Sequence, residues 1–471
     1  MKFAAVFYEA QHNDARTNVA IALSAAEYGA NICNYVEGTE LIFKKGGGKE
    51  AVGIKARDVM GGGDDMEIRA KKIIFAGGPY TDLMRKMEDK DTKPAVQGAS
   101  GSHVVLPGYY CPKDMGLLDY NTSDGRFLFF LPWQGHTLVG TTDKKCDAET
   151  LPAAPEDEIQ WILNECGKYL SNDLRVRRSD VQSAWRGWRP LAVDPHLPPG
   201  APPSRDHVIS ENPETGVIFI AGGKWTTWRE MAEDVVNRVT DKKCKTLDIK
   251  LLGGEGYTRN THVKLTQKHG MGANVAEHLA KTYGARAFDV CELSKPTGQA
   301  WPKFGVPLHP EFPYIEAEVV YACREYACTI EDIISRRTRL AFLNKEAAME
   351  CVDRVGEIMQ KELGWSDEIK AEQVKNAKLY VGSYGGPIPD KVRKGGVGWG
   401  GRSGTMTAYY YYSTHTYTHS KLNTNNLLLV ASLIAELCDS KERDLQGHPR
   451  HLQGHRRGRK RILGQTGGET R

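Results

Sequence analysis

One stretch of this chain combines glycines, a lysine and threonines at a spacing that could bind an anion. Residues 216–229 read G-V-I-F-I-A-G-G-K-W-T-T-W-R, and the apolar run at their start predicts a strand buried on both faces. Gly222 and Gly223 then allow a sharp turn, and the apolar spacing after Thr226 predicts a helix. Lys224 and Thr226 are therefore expected at a helix N-terminus, where free N–H groups favour phosphate, carboxylate or an electron-rich cofactor ring. Taken alone, this stretch fits an ordinary strand, turn and helix of an α/β domain equally well.

A second strand that ends in glycines occurs earlier in the chain. Residues 71–79 read K-K-I-I-F-A-G-G-P, which predicts a buried strand that runs into Gly77 and Gly78. The carboxyl ends of parallel strands meet at one edge of an open sheet. We therefore expect the two glycine turns to face one ligand at that edge.

The composition is that of an ordinary globular protein. A length of 471 residues predicts about three domains. The net charge of +4 gives no argument for a nucleic-acid partner. The ten cysteines contain no C-x-x-C motif, which indicates free thiols and excludes both a disulfide scaffold and a zinc site. No apolar run approaches the roughly eighteen residues that a membrane span needs, so any membrane contact is expected to be peripheral.

Hydrophobic periodicity divides the chain into three structured parts and a tail. Strands and helices alternate over 1–80 and 206–245, whereas 81–205 has the strands of an antiparallel sheet with one helix. Helical spacing dominates 253–380, which we expect to form a separate domain. The segment 381–471 is rich in glycine, then in tyrosine and polar residues, and ends in a basic block, so we expect it to be disordered.

Three local predictions concern the first part. Residues 3–8 and 31–36 are expected to form short strands on either side of a helix. Residues 41–59 alternate around a glycine cluster and are expected to form a hairpin.

Long motifs in one order resemble the family of FAD-dependent, membrane-associated glycerol-3-phosphate dehydrogenases, most closely its mitochondrial form. The resemblance runs from about residue 8 to about residue 379, roughly four fifths of the chain. The matching motifs are Q-H-N-D-A-R at 11–16, G-P-Y-T-D at 78–82, G-S-H-V-V-L-P-G-Y-Y at 101–110, F-F-L-P-W-Q at 129–134, G-T-T-D at 140–143, R-P-L at 189–191, A-G-G-K-W-T-T at 221–227, F-P-Y-I-E-A-E-V at 312–319 and I-S-R-R-T-R-L-A-F-L-N at 334–344.

The resemblance implies a fold and a reaction. The fold class is α/β plus α+β, with an incomplete glutathione-reductase-like FAD domain over 1–80 and 206–245, an inserted antiparallel substrate domain over 81–205 and a C-terminal helical domain over 253–380. The reaction is the oxidation of sn-glycerol 3-phosphate to dihydroxyacetone phosphate, with FAD as cofactor and ubiquinone as the final acceptor. The implied location is the mitochondrial inner membrane, with peripheral contact and a possible oligomer.

The resemblance also implies roles for individual residues. His103 matches the base that faces the substrate, since imidazole accepts a proton near neutral pH. Arg189 matches a substrate-phosphate arginine, because a planar guanidinium suits phosphate oxygens. Lys224 and Thr226 match the motif that lines both substrate and flavin. The residues expected to contact FAD are Ala76, Gly77, Gly78, Gly222, Gly223, Lys224 and Thr226.

Other charged and aromatic residues receive ordinary structural interpretations. We expect Arg186 to be a solvated surface arginine, and the I-S-R-R-T-R-L motif to place Arg336, Arg337 and Arg339 on a salt-bridged helix surface. An N-terminal helix cap with an ion pair is at least as good an interpretation of Asp14 and Arg16 as contact with the cofactor. Four tryptophans are expected in the core or in the cleft wall: Trp185, Trp188, Trp225 and Trp228.

Two departures from the family keep alternatives open. The strand-containing part of the chain has no G-x-G-x-x-G turn for the FAD pyrophosphate, so the chain is expected to begin downstream of that turn. It also contains no EF-hand loop, so no metal is expected. One alternative is a non-catalytic remnant that cannot bind FAD, and another is a related flavin oxidase with a different substrate. The basic tail favours a weaker hypothesis, contact with anionic lipid or nucleic acid.

Overall fold

A computed structural model describes most of the chain. The described residues are 5–8, 10–60, 65–149, 151–171, 173–193, 204 and 206–388, with the backbone of 413–414 and 417–418. Those last four residues form a short antiparallel pair of strands. The prediction of a disordered tail over 381–471 is wrong at its start, because residues 381–385 end a helix and form a 3-10 turn in which Tyr384 is buried. From residue 389 onward, apart from that pair, the prediction lies outside the described residues.

The N-terminal part begins with a helix and a small antiparallel sheet. Its elements are α1 (Asp14–Glu27), β1 (Val36–Phe43), β2 (Ala51–Asp58), β3 (Met66–Arg69), β4 (Ile73–Phe75) and α2 (Thr81–Arg85). The sheet has the order β1-β2-β3, which confirms the hairpin predicted over 41–59. The strand predicted over 31–36 is wrong up to residue 35, and residues 5–8 are not in a strand either. The reason at 31–36 is visible: Asn34 donates a hydrogen bond to the carbonyl of Tyr326, 2.6 Å away, so this segment pairs with the C-terminal part of the chain.

The middle of the chain forms one antiparallel sheet with a covering helix. Its elements are β5 (Val96–Pro107), β6 (Leu117–Asp119), β7 (Leu128–Trp133), β8 (His136–Gly140), β9 (Lys144–Lys145), α3 (Glu156–Cys166) and β10 (Ser183–Ala192). The strand order is β10-β5-β8-β7-β6, and β9 pairs with the other part of β5. Helix α3 packs Ile159 and Ile162 on one face of this sheet, against Val104 and Leu106. The predicted antiparallel sheet and its single helix are confirmed.

After this sheet the chain returns to the first part. Strands β11 (His207–Glu211) and β12 (Val217–Gly222) form a sheet with β4, and helix α4 (Trp228–Val236) follows. β12 is parallel to β4, with Val217 opposite Ile73 and Phe219 opposite Phe75. The four paired residues of β4 and β12 are all buried, as the uninterrupted apolar runs predict.

The C-terminal part is helical and shares a core with the antiparallel sheet. Its helices are α5 (Thr261–His269), α6 (Ala273–Tyr283), α7 (Ala287–Glu292), α8 (Glu316–Cys323), a π-helical turn (Asp332–Arg337), α9 (Leu340–Leu343), α10 (Lys345–Leu363) and α11 (Asp367–Gly382). The indole of Trp185 on β10 meets the ring of Phe342 edge to face, with centroids 5.1 Å apart. Trp185, Val105 and Leu138 of the sheet belong to the same buried cluster as Phe342. Within the described residues, no helix combines the length and the apolar character needed to cross a bilayer.

The arginines of the I-S-R-R-T-R-L motif are buried, so their predicted place on a helix surface is wrong. Arg339 forms an ion pair with Asp14 at the start of α1, and both side chains are almost fully enclosed. Arg16, two residues further along α1, donates to Glu325 at 2.7 Å. The ion pairs expected for Asp14 and Arg16 are therefore present, whereas the helix cap is the neighbouring Asn13, whose side chain accepts a hydrogen bond from the Arg16 N–H. The ion pairs join α1 to the C-terminal part of the chain.

A third buried ion pair lies within the C-terminal part. The guanidinium of Arg336 donates to the Asp332 carboxylate at 2.6 Å, and the Tyr35 hydroxyl donates to the same carboxylate at 2.8 Å. Burial alone would raise the pKa of Asp332, but Arg336 and Arg337 outweigh that effect and hold its pKa well below the usual value. The depressed pKa means that this carboxylate stabilises the fold above the pKa it has in the unfolded chain. That contribution is lost as the pH falls towards the folded-state pKa.

Removing one partner of a buried pair tests how strongly α1 is held. Arg339→Ala leaves the Asp14 carboxylate buried without this guanidinium, so we expect the free energy of unfolding to fall by about 3–5 kcal/mol. Urea unfolding followed by circular dichroism measures the change. The matched control is Arg324→Ala, at an exposed arginine of the same region, which should change the free energy by less than about 0.5 kcal/mol. Equal effects of the two variants would contradict a buried pair.

Candidate active site

Two glycine turns lie at the same edge of the β11-β12-β4 sheet. Because β4 and β12 are parallel neighbours, Gly77 and Gly78 follow one strand where the other ends in Gly222 and continues into Gly223. Gly78, Gly222 and Gly223 have φ angles of 52°, 78° and 77°, a region that favours glycine. The predicted placement of the two turns at one edge is confirmed.

Close packing also requires glycine at these turns. A Cβ atom on Gly77 would lie 2.6 Å from the sulfur of Met84, and one on Gly222 would lie 2.9 Å from the Cβ of Ala192. Ala192 is the last residue of β10, so the second turn touches the end of the antiparallel sheet. The glycine edge therefore meets the sheet that carries His103 and Arg189.

Lys224 and Thr226 lie directly after the second turn, but not at the start of an α-helix. A single 3-10 turn (Trp225–Thr227) comes between, and α4 begins at Trp228. The predicted helix N-terminus is therefore displaced, because the Thr227 hydroxyl and N–H both bond to the carbonyl of Lys224 and close a tighter turn. Lys224 and Thr226 are exposed, and in the described part of the chain Lys224 has no ion pair. Its ammonium group can therefore approach a ligand at the glycine edge.

His103 lies on the face of the antiparallel sheet that packs on the C-terminal helices. It stands on β5 opposite Trp185, and the two rings are stacked with centroids 5.5 Å apart. On the other side, Gly140 of β8 is its cross-strand neighbour, and a Cβ on Gly140 would lie 2.4 Å from the imidazole. The side chain is enclosed, with 4% of its surface exposed. A side chain at position 140 would collide with the imidazole, so the observed position of His103 requires glycine there.

Arg189 lies on the same face of the sheet as His103. It stands opposite Ala99, four residues along β5 from His103, a separation of roughly 13 Å between backbones. The side chain spans part of that distance, because a Cβ on Gly101 would lie 2.4 Å from a terminal nitrogen of Arg189. Gly101 is paired with Gly187, so the surface between imidazole and guanidinium carries no side chain from these two positions. This surface, made by Gly101, Gly187 and Gly140, is called the glycine floor below.

The guanidinium of Arg189 is held by backbone and side-chain oxygens. It donates to the Ser100 carbonyl at 3.3 Å, to the Thr141 hydroxyl at 3.2 Å and to the Thr142 carbonyl at 3.4 Å. It also forms an ion pair with Asp143 at 3.2 Å. Burial lowers the pKa of Arg189, and the carboxylates of Asp143 and Glu158 oppose that shift. Because the charge of the Arg189 guanidinium is buried, this group favours the binding of an anion next to it.

The structure corrects the prediction made for Arg186, which lies on the same strand as Arg189. We expected a solvated surface arginine, but it is buried on the opposite face of β10 and forms an ion pair with Glu149 at 2.7 Å. Arg186 and Arg189 are three positions apart, and alternation along a strand places two such residues on opposite faces. Arg186 therefore does not join Arg189 beside the glycine floor. Trp185 and Trp188 are in the core as predicted, while Trp225 and Trp228 are partly buried and stack on each other at 6.3 Å.

Sequence reasoning missed the residues that hold Arg189. Thr141, Thr142 and Asp143 belong to the G-T-T-D motif, which the resemblance includes but which suggested no role. The motif is the signal that could have found them. Glu158 carries no comparable signal, because an acidic residue in the first turn of a helix is common.

The residues at the glycine edge fit the ring end of a flavin. Two turns without side chains allow close approach of a flat ligand, and Lys224 adds a cation for an electron-rich ring. These are the residues that would hold FAD in this chain: Ala76, Gly77, Gly78, Gly222, Gly223, Lys224 and Thr226. Among the described residues, no group of three or more His, Cys, Asp or Glu side chains is arranged to hold a metal ion.

Comparison with protein families agrees with the two-part architecture. Residues 2–229 match the family described as FAD dependent oxidoreductase. Residues 244–370 match the family described as the C-terminal domain of alpha-glycerophosphate oxidase. The two matches together cover both the strand-containing part and the helical part.

Individual proteins match over most of this chain. The mitochondrial glycerol-3-phosphate dehydrogenase of Bos taurus is 49% identical over 387 residues, which are 80% of this chain and 53% of that protein. The Arabidopsis thaliana protein of the same name is 39% identical, over 80% of this chain and 62% of its own length. The chain thus spans about half the length of the animal relative. The crystal structure of the glycerol-3-phosphate dehydrogenase from Bacillus halodurans, complexed with FAD, is 26% identical with a TM-score of 0.66, covering 79% of this chain and 74% of that one.

A side chain on the glycine floor tests the packing described above. Gly101→Ala places a Cβ against the Arg189 guanidinium and the Thr141 hydroxyl, so we expect a loss of about 1–3 kcal/mol in the free energy of unfolding. Urea unfolding measures it. Gly48→Ala is the control, because no atom lies within 4 Å of its added Cβ, and its effect should stay within about 0.5 kcal/mol. A Gly101→Ala variant as stable as the control would show that Arg189 lies elsewhere.

Proposed function

We propose that this chain, of which residues 2–229 match the family described as FAD dependent oxidoreductase, oxidises the C2 alcohol of sn-glycerol 3-phosphate to dihydroxyacetone phosphate. One observation carries the proposal: a buried arginine and a buried histidine share one face of a sheet, with the glycine floor between them. The cation suits the phosphate, and the imidazole suits the alcohol. The animal and plant relatives are named glycerol-3-phosphate dehydrogenase, which supports the same substrate.

Arg189 binds the phosphate in this proposal. Its guanidinium is already oriented by the Ser100 carbonyl and the Thr141 hydroxyl, so little side-chain freedom is lost when a ligand binds. Charge-assisted hydrogen bonds to phosphate oxygens fix one end of the substrate. In this proposal the carbon chain of the substrate extends from Arg189 towards His103, which lies on the same face of the sheet.

His103 accepts the proton of the C2 hydroxyl. The stacked Trp185 and the neighbouring Gly140 fix the plane of the imidazole, which is what a general base needs in order to meet one hydroxyl group. When bound, FAD supplies a two-electron acceptor for the hydride that leaves C2. Lys224 stabilises negative charge at the glycine edge, and the enclosure of His103 and Arg189 keeps bulk water away from the reacting alcohol.

The acceptor and the location are further parts of the proposal. We propose a membrane quinone as the final electron acceptor and peripheral contact with the mitochondrial inner membrane. The support is the mitochondrial name of the relatives.

The visible spectrum of the purified chain tests the enzyme assignment. We expect a flavin absorbance band that bleaches when glycerol 3-phosphate is added without an acceptor, because the substrate reduces the flavin. His103→Gln should keep the band and bleach at least about 100-fold more slowly, since a positioned base typically contributes that much or more. Glycerol without phosphate is the substrate control. A colourless protein, or a band that glycerol 3-phosphate does not bleach, would contradict the proposal.

Arg189→Lys tests the phosphate assignment. Lysine keeps the charge but loses the planar fork, so we expect the KM for glycerol 3-phosphate to rise about 10- to 100-fold, with a smaller effect on kcat. Steady-state kinetics with an artificial electron acceptor gives both constants. Arg175→Lys, at an exposed arginine, is the matched control and should leave KM unchanged. An unchanged KM in Arg189→Lys would remove Arg189 from the phosphate site.

A further inference from the structure

Two carboxylates act on Arg189, and they differ in how deeply they are buried. The side chain of Asp143 is 58% exposed and lies 3.2 Å from the guanidinium, whose own side chain is 7% exposed. Glu158 is 6% exposed and acts on the same charge from α3 on the other face of the sheet. Because Asp143 is exposed, its carboxylate can leave Arg189 and remain solvated by water. Glu158 is buried, so its carboxylate cannot do the same.

The buried carboxylate fixes the loop that holds Arg189. Glu158 accepts hydrogen bonds through Oε2 from the Thr142 hydroxyl, at 2.6 Å, and from the Ser102 hydroxyl. Thr142 is held further by its own N–H, which donates to the Ser102 carbonyl at 3.3 Å, and by its Oγ1, which accepts from the Ser102 N–H at 2.8 Å. The Thr142 carbonyl in turn accepts from Arg189. The guanidinium therefore keeps its position when Asp143 moves away.

Asp143 comes directly after Thr142 in the sequence, but it takes little part in the hydrogen bonds that hold Thr142 in place. A carboxylate oxygen and a phosphate oxygen are alike in charge and in the hydrogen bonds they accept, so the Asp143 carboxylate occupies a position that a ligand phosphate would use. We propose that Asp143 is a displaceable counter-ion, which occupies Arg189 in the absence of substrate and which the phosphate of the substrate replaces. This inference rests on the function proposed above.

The exchange of one anion for another lowers the affinity for substrate and product alike. Both glycerol 3-phosphate and dihydroxyacetone phosphate carry the phosphate group, so competition by Asp143 weakens both and eases release of the product. Binding that is uniform in this way sets KM without changing the barrier of the chemical step. Removal of the Asp143 charge should therefore lower KM and leave kcat nearly unchanged.

Titration calorimetry with glycerol 3-phosphate tests the inference on the full chain. Exposed ion pairs are worth up to about 1 kcal/mol, so we expect Asp143→Asn to tighten binding about two- to fivefold, and to lower KM by the same factor. Asp147→Asn is the control, because it removes the same charge from an exposed position four residues away and should change neither constant. The gain should vanish when Arg189→Gln is combined with Asp143→Asn, since Arg189 is the group for which the two anions compete.

The outcomes separate this inference from the proposed function. Binding by Asp143→Asn that is equal to or weaker than binding by the parent chain overturns the counter-ion role and leaves the enzyme assignment intact. Tighter binding by a variant whose flavin does not bleach supports the counter-ion and contradicts the oxidation. A parent chain that binds no glycerol 3-phosphate overturns both.

Discussion

The register between β5 and β10 is the constraint on which the candidate site depends. It pairs His103 with Trp185 and Ala99 with Arg189, and thereby places the proposed base and the cation on one face of the sheet. A slip of one residue would turn one of the two side chains to the other face, where α3 packs. The same ladder ends at Ala192, which touches Gly222, so the pairing also sets the distance from Arg189 to the glycine edge. Arg189 lies between that edge and His103 along the strand.

The C-terminal helices hold this face of the sheet closed. Phe342 packs on Trp185, and Trp185 in turn stacks on His103, so the orientation of the imidazole depends on a residue more than two hundred positions away in sequence. The buried ion pairs from Asp14 to Arg339 and from Arg16 to Glu325 attach α1 to the same helices. Ion pairs thus join α1 to the C-terminal helices, while apolar contacts join the antiparallel sheet to the same helices.

Local patterns predicted the elements of this fold well, but not the partners of buried polar residues. The apolar runs at β4 and β12 and the helical spacing at α3 and α10 depend on neighbours in sequence, so the printed sequence contains what is needed to find them. The failures at 31–35 and at Arg339 have one cause. In each case the deciding partner is distant in sequence: Tyr326 for Asn34, and Asp14 for Arg339. His103 and Arg189 could be named from the resemblance, whereas the network of Thr142 and Glu158 required the coordinates.

Burial of the counter-ion distinguishes Arg189 from Arg336. Arg336 and its partner Asp332 are both enclosed, so their charges satisfy each other, and an incoming anion would have to displace a carboxylate that has no access to water. Arg189 is equally enclosed, but Asp143 is largely solvated. An anion can therefore replace Asp143 at low cost and still find a guanidinium that is desolvated and oriented. Exposure of the partner is not sufficient by itself, because the buried Arg186 also pairs with a partly exposed carboxylate, Glu149. Arg189 differs from Arg186 because it lies on the same face of the sheet as His103, which is why we propose Arg189 as the arginine that binds a ligand.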